Sequence, residues 1–388
     1  MGARYFETMA RQFEEQYPEI KVEVSSVAGL EEKLSTAIVG GAAPDVVFFP
    51  RYLTGQWAAR AMLEPMSQFA AAYGILEEHF FKATWDEVSY NGEIWGIPFS
   101  TDARVLFYNR QSFMEMGLDS MKPPKNWDEL VSYSKRLTAR TPEGKLEKVG
   151  FVPIWGNQSL LMYIWQNGGS MFNEDYTKVL MDSEEAVGAL QWVCDFVDIY
   201  GYGDLGEMGG SFGSAEQTPW FTGQIAMITE GSWNLHGLLE YVPAFYEQDL
   251  GVAALPGNVE QATVAGGFSF VIPSGAAHLA AAQAFIAWAV QPKNQLGFAL
   301  ETGVIPADVR AGHDEYFRDH FYWRPFIDAM DLYARARPAH PAYPEIEGLM
   351  FEALWKALAK EQSAFACLED ATTRGQAILD YYNAVFGF

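Results

Sequence analysis

The segment NGEIWGIPFSTDARVLFYNR, Asn91 to Arg110, constrains the fold more than any other, because two short apolar runs flank one polar step. Asn91-Gly92 is a turn dipeptide. Ile94 to Ile97 reads as a short strand that Pro98 ends, and Val105 to Tyr108 as a buried strand that resumes after Ser100, Thr101, Asp102, Ala103 and Arg104. A chain written this way passes from one lobe into another, with its polar step at the joint.

The residues before it alternate between strand and helix. Tyr5, Met9, Phe13 and Tyr17 are spaced for one helix face. Ile20, Val22 and Val24 then alternate with Lys21, Glu23 and Ser25, the period of a half-buried strand. Leu30, Leu34 and Ile38 form a second helix stripe that Gly40-Gly41 stops. The apolar run Val46 to Phe49 fits a parallel strand covered on both faces. Such alternation predicts an α/β sheet, whose ligands bind outside the carboxyl ends of the strands.

Beyond the joint, Pro123-Pro124 and Asn126 with Glu129 announce a helix by a capping-box-like start. Glu184 to Tyr200 carries Ala186, Leu190, Val193 and Val197 at helical spacing. Gly201 to Gly213 reads as a glycine-rich loop. Gly150 to Ile154 and Gln224 to Thr229 read as strands. Val264 to Pro273 returns the chain to the first lobe, and Ser274 is expected to cap a helix from Ala276 to Val290. A third crossing falls near Tyr316, and helices around Ile346 to Leu358 and Leu368 to Tyr382 close the second lobe.

Composition removes several function classes. With 26 basic and 50 acidic residues the net charge is -24, which repels nucleic acid and anionic lipid. The longest nearly apolar run, Leu279 to Val290, is about half of the ~20 residues a bilayer span needs. Cys194 and Cys367 sit in helical patterns and read as small buried thiols, with a disulfide as the alternative. The six histidines lack zinc spacing, and no cofactor or metal is expected. Gly201 to Gly206 matches a dinucleotide fingerprint only as a string, since a helix precedes it where a strand is needed. Gly209 to Gly213 matches a nucleophile elbow, again with no strand leading in.

Six motifs then occur in one order: YPEIKVEV (Tyr17 to Val24), GGAAPDVVFF (Gly40 to Phe49), the Asn91 to Arg110 segment, PPKNWDEL (Pro123 to Leu130), FTGQIAMITEGSW (Phe221 to Trp233), and GVAALPG with AGGFSFVIP and TGVIP (Gly251 to Pro306). In this the chain resembles the family 1 extracellular solute-binding proteins, the maltose-binding-protein-like receptors of bacterial ABC importers, over nearly its whole length. The resemblance implies a two-lobed periplasmic-binding-protein fold of type II. Each lobe would be a mixed α/β sheet flanked by helices, with three crossovers. Lobe 1 would comprise residues 1–100 and 266–315, lobe 2 residues 101–265 and 316–388. Relatives carry a secretion signal and a first strand before the first helix; here Met1-Gly2-Ala3-Arg4 leads straight into that helix, so a trimmed start or a substitute strand is expected.

The resemblance also implies the function: capture of a carbohydrate, in particular an oligosaccharide, by hinge closure of two lobes, and delivery to the transmembrane subunits of an ABC transporter. A monomer located in the periplasm or outside the cell, with lipid anchoring as an option, is expected. A sugar needs an aromatic face for its C-H groups and directional partners for its hydroxyls. Candidate contacts are Ser100, Thr101 and Asp102 at the first crossover, Trp155 and Asn157 after the Gly150 to Ile154 run, Trp233 in the G-S-W step, and Gly266, Gly267 and Phe268 on the return. Arg51 and Tyr52, and Trp323 and Arg324, are weaker ones. Arg104 serves the site or pairs with Asp102. Trp192, Trp288 and Trp355 lie on helix patterns and read as core. A secreted glycoside hydrolase and a stand-alone sugar-binding or sensing protein are the rival functions, and amino acids, glycerol phosphates and polyamines the rival solutes.

Overall fold

The computed structural model describes residues 2–212 and 219–387; the last glycine of the Gly201 to Gly213 run lies outside them. The chain forms two compact units. The first contains Met1–Asp102, Ala265–His320 and Arg335–Pro344, the second Ala103–Val264, Phe321–Ala334 and Glu345–Phe388. The third crossing falls after His320, a few residues beyond Tyr316. The short return 335–344, which no periodicity announces, brings the crossings to five.

In the first unit a four-stranded sheet runs in the order Val47–Pro50, Gly266–Val271, Ile97–Asp102, Ile305–Pro306. Every neighbouring pair is antiparallel, so the strand expected to be parallel pairs the other way. Pro98 does not end its strand. It lies opposite Ser269, where the register shifts between Phe268 and Ser269, and a bulge is a position where a missing N-H is tolerated. Under the sheet, Phe13 on the Gly2–Gln16 helix meets Trp288 edge-on at 5.6 Å. Phe99, Phe270 and Phe298 continue the same core.

The Ile20 to Ser25 run shows how a correct pattern can lack a strand. Ile20, Val22 and Val24 are half-buried while Lys21, Glu23 and Ser25 are exposed, as the period of two requires, yet no ladder forms. The backbone N-H of Val22 donates instead to Glu14 Oε1 at 2.9 Å, and Lys21 pairs with Glu14 at 3.1 Å. Ser274 likewise does not cap the next helix, which begins later, at Leu279. Asp45 holds that end by accepting from the His278 N-H at 2.8 Å.

The second unit is built on a three-stranded antiparallel sheet with Val105–Asn109 between Met227–Glu230 and Leu250–Ala253. Val105, Leu106 and Phe107 are wholly buried. Asn126 caps the Trp127–Leu137 helix by accepting from Glu129 N-H at 2.9 Å. Ser183 caps Glu184–Asp198, which buries Ala186, Leu190, Val193 and Val197. The Gly150 to Ile154 run is not a strand; it touches the sheet at its first residue, where Gly150 O accepts from Met227 N-H at 2.7 Å. The glycine-rich run after Gly201 is a helix, Tyr202–Gly210, because Leu205 and Met208 are buried three residues apart on one face. It follows another helix, so the strand a dinucleotide fingerprint requires is missing.

Cys194 and Cys367 are both thiols. Burial, helped by Asp195 and Asp198, pushes Cys194 up to about 11. Trp288 is core at 3% exposure, and Trp192 stacks on Trp127 at 4.0 Å. Trp355 is 47% exposed and is not core. Among the described residues no helix is long and apolar enough to cross a membrane.

Candidate ligand site

In the second unit the polar groups gather where the Met227–Glu230 strand ends. Glu230 lies opposite Val105 in the ladder, which brings the preceding residue, Arg104, to the same end. Gly231-Ser232-Trp233 then turns the chain into the Asn234–Tyr241 helix. Gly231 is required sterically, because a Cβ there would strike the Trp233 ring. Arg104 places its guanidinium carbon 5.8 Å from the centre of that indole, within cation-π range. Its backbone is fixed by Thr263, whose hydroxyl accepts from Arg104 N-H at 3.1 Å and donates to Arg104 O at 2.9 Å.

The Trp155-Gly156-Asn157 loop docks on the same strand end. Gly156 has φ +85° and no room for a Cβ, which would come within 2.7 Å of Ile228. That close approach lets Asn157 N-H donate to Thr229 O at 2.8 Å. The Asn157 and Asn234 amide nitrogens both donate to Oε2 of Glu230. Burial raises the Glu230 pKa to about 7, against the pull of these two donors, the Gly231 N-H and Arg104. Trp155 joins a different neighbourhood and meets Phe212 edge-on at 5.1 Å.

In the first unit the crossover residues surround Arg51, whose side chain is fully buried. Its Nε donates to Glu87 at 3.0 Å, and its other nitrogens to the carbonyls of Ser100, Gly266 and Phe268. Arg337 donates to the other Glu87 oxygen at 2.7 Å and lies 4.6 Å from the centre of the Tyr52 ring. Burial pulls the Arg51 pKa down and Glu87 opposes the fall. Gly267 has φ +118°, and a Cβ there would lie 2.8 Å from the Arg51 guanidinium.

Arg51 is therefore a brace that ties together the two crossover strands, and a ligand does not reach its guanidinium. Thr101 is also committed, donating to Gly266 O at 3.0 Å. Ser100 and Asp102 are buried at the same strand end. Phe268 is 38% exposed and stacks on Phe48 at 4.6 Å. Trp323 is 1% exposed and packs against Phe326 as core, whereas Arg324 is an exposed partner of Asp328 at 3.7 Å. Neither fits a ligand contact: one is enclosed and the other is on a solvated helix face.

The structure thus assembles Trp233 and Asn157 with two residues the sequence did not single out, Glu230 and Asn234. The signal was present in the T-E-G-S-W-N order: a carboxylate ending an apolar strand beside a tryptophan and an asparagine. Among the described residues no group of His, Cys, Asp or Glu could hold a metal ion.

Residues 2–296 match the family described as bacterial extracellular solute-binding protein, and the chain belongs to that family. Among curated relatives, the sn-glycerol-3-phosphate-binding periplasmic protein UgpB of Escherichia coli strain K12 is 23% identical, the match covering 96% of this chain and 89% of the relative. Among solved structures, the sugar-binding protein MalE from Xanthomonas citri matches with a TM-score of 0.86 at 22% identity, over 99% of this chain and 96% of that one. CpMnBP1 with mannotriose bound matches with a TM-score of 0.84 at 22% identity, over 97% and 96%. These structures establish the two-lobed fold of the MalE type.

Proposed function

We propose that this chain is the solute-binding receptor of a bacterial ABC importer, and that its solute is a neutral carbohydrate, in particular an oligosaccharide. The observation that carries this reading is the cluster at the end of the Met227–Glu230 strand. An indole lies beside Asn157, Asn234, Glu230 and Arg104, the combination of apolar face and directional polar groups that a sugar ring needs. The neighbours named for MalE and for bound mannotriose support the same class.

Glycerol 3-phosphate is the competing solute, because the curated relative is named for it. A doubly charged phosphate favours several arginines or a helix N-terminus; the cluster offers one arginine and the start of the Asn234–Tyr241 helix. In the second unit's cluster a carboxylate accompanies the arginine, and the net charge of -24 adds a general repulsion. Both features favour the neutral sugar.

The family supports binding without bond cleavage, a location outside the cytoplasmic membrane and partnership with the importer's transmembrane subunits. The receptor acts as a monomer. A receptor of this kind closes on its solute only when the solute binds the closed form more tightly than the open one. Thermal-shift and calorimetric screening against neutral mono- and oligosaccharides and glycerol 3-phosphate tests the reading, since a specific ligand raises apparent stability. A shift with glycerol 3-phosphate alone overturns the sugar assignment, and release of reducing ends from the oligosaccharides overturns simple binding.

A further inference from the structure

We infer that Glu230 is the positioning residue of the ligand cluster: its carboxylate holds the amide nitrogens of Asn157 and Asn234 and thereby leaves both amide oxygens as the acceptors offered to ligand hydroxyls. This rests on the carbohydrate reading and adds to it a hydrogen-bond polarity.

An asparagine amide is ambivalent, with two donors on nitrogen and one acceptor oxygen. An ionised carboxylate is an acceptor only. Because both Nδ2 atoms donate to the one oxygen, Oε2, neither amide can turn its oxygen to Glu230 without setting two acceptors against each other. The backbone adds to this control. Asn157 is pinned through its N-H to Thr229 O at 2.8 Å, and Asn234 begins the helix that follows Trp233. Both amides therefore offer oxygen to a ligand, which suits the O-H donors of a sugar and disfavours a phosphate, whose oxygens only accept.

Protonation undoes the arrangement. A neutral Glu230 carries an O-H donor beside its remaining acceptor, so an amide that turns its oxygen inward is no longer excluded and the fixed polarity is lost. The group lies where this matters, since burial pushes its pKa up to about 7. The charged side chain acting on it is Arg104, from the residue before the Val105–Asn109 strand; the 155–157 loop and the 234–241 helix face it with the two neutral amides. The carboxyl is the group of this cluster that titrates in the range.

The test measures affinity for neutral mono- to tetrasaccharides by calorimetry at pH 6 and pH 8, for the wild type, Glu230→Gln and Glu230→Asp. With Glu230 largely neutral at pH 6, wild-type affinity should be several-fold weaker than at pH 8. Glu230→Gln should bind several-fold more weakly than wild type at pH 8, with no difference between the two pH values, because its amide offers a donor as well as an acceptor and no longer excludes the turned orientation of its partners. Glu230→Asp should keep a pH dependence and recover part of the affinity. Melting curves of each variant show whether it folds. A sugar bound equally well by wild type and Glu230→Gln, or a pH profile that survives in Glu230→Gln, overturns the inference and leaves the carbohydrate reading standing. A wild type that binds no sugar at pH 8 overturns both.

Discussion

Arg51 and Glu87 form an ion pair at 3.0 Å with both side chains wholly buried, and on this pair the crossover strands of the first unit converge. Arg51 spans from Glu87 to the carbonyls of Ser100 and Gly266, while Glu87 also holds Arg337 at 2.7 Å. Removing one partner of such a pair leaves the other charge buried and uncompensated, which costs about 3–5 kcal/mol. Glu87→Gln should therefore lower the unfolding free energy by about 3 kcal/mol or more in urea titration. A loss under about 1 kcal/mol, typical of exposed pairs, would contradict the brace.

Gly267 supports the same brace. Its φ of +118° disfavours any side chain, and a Cβ would press on Arg51 at 2.8 Å. Gly267→Ala should destabilise by more than about 1 kcal/mol, whereas Gly41→Ala, also at positive φ but with open space around its Cβ, should cost less. Urea midpoints of the two variants measured together decide the order.

The tryptophans separate by burial. Trp288 is 3% exposed against Phe13 and Phe285, and Trp288→Ala should cost about 3–5 kcal/mol through the cavity left behind. Trp355 has the same helical spacing in the sequence but is 47% exposed. Trp355→Ala should cost less than about 1 kcal/mol.

Such pairs show what periodicity carries. The Asn126 cap and the Glu184–Asp198 helix were legible because each is fixed by residues within a few positions of one another. The half-buried alternation of Ile20, Val22 and Val24 was legible too, but a strand also needs a neighbour, and Glu14 took the Val22 N-H instead. The role of Arg51 depends on Gly266, 215 residues away, and that of Glu230 on Asn157, 73 residues away. No local pattern reports such distances. Hence Arg51 read as a ligand contact and Glu230 was passed over, while Trp233 and Asn157 entered through the resemblance of their motifs.

Glu230 also makes stability depend on pH in a stated direction. Its folded pKa is raised from 4.5 to about 7. Between those values the unfolded chain has released the proton that the folded chain still holds, so this group's contribution falls as pH rises through the window and is constant above it. Glu230→Gln should remove that component. The variant's stability relative to wild type should increase from pH 4.5 to pH 7 in urea titrations, and a relative stability that stays flat or falls would show the carboxyl to be ionised well below pH 7.

The central claim is that the indole at the end of the Met227–Glu230 strand grips a neutral carbohydrate. Isothermal titration of wild type and Trp233→Ala with the same oligosaccharides tests it most directly. The account predicts saturable binding by the wild type and an affinity at least about tenfold weaker in Trp233→Ala, with an unchanged melting profile. Equal affinity in the two proteins would contradict it.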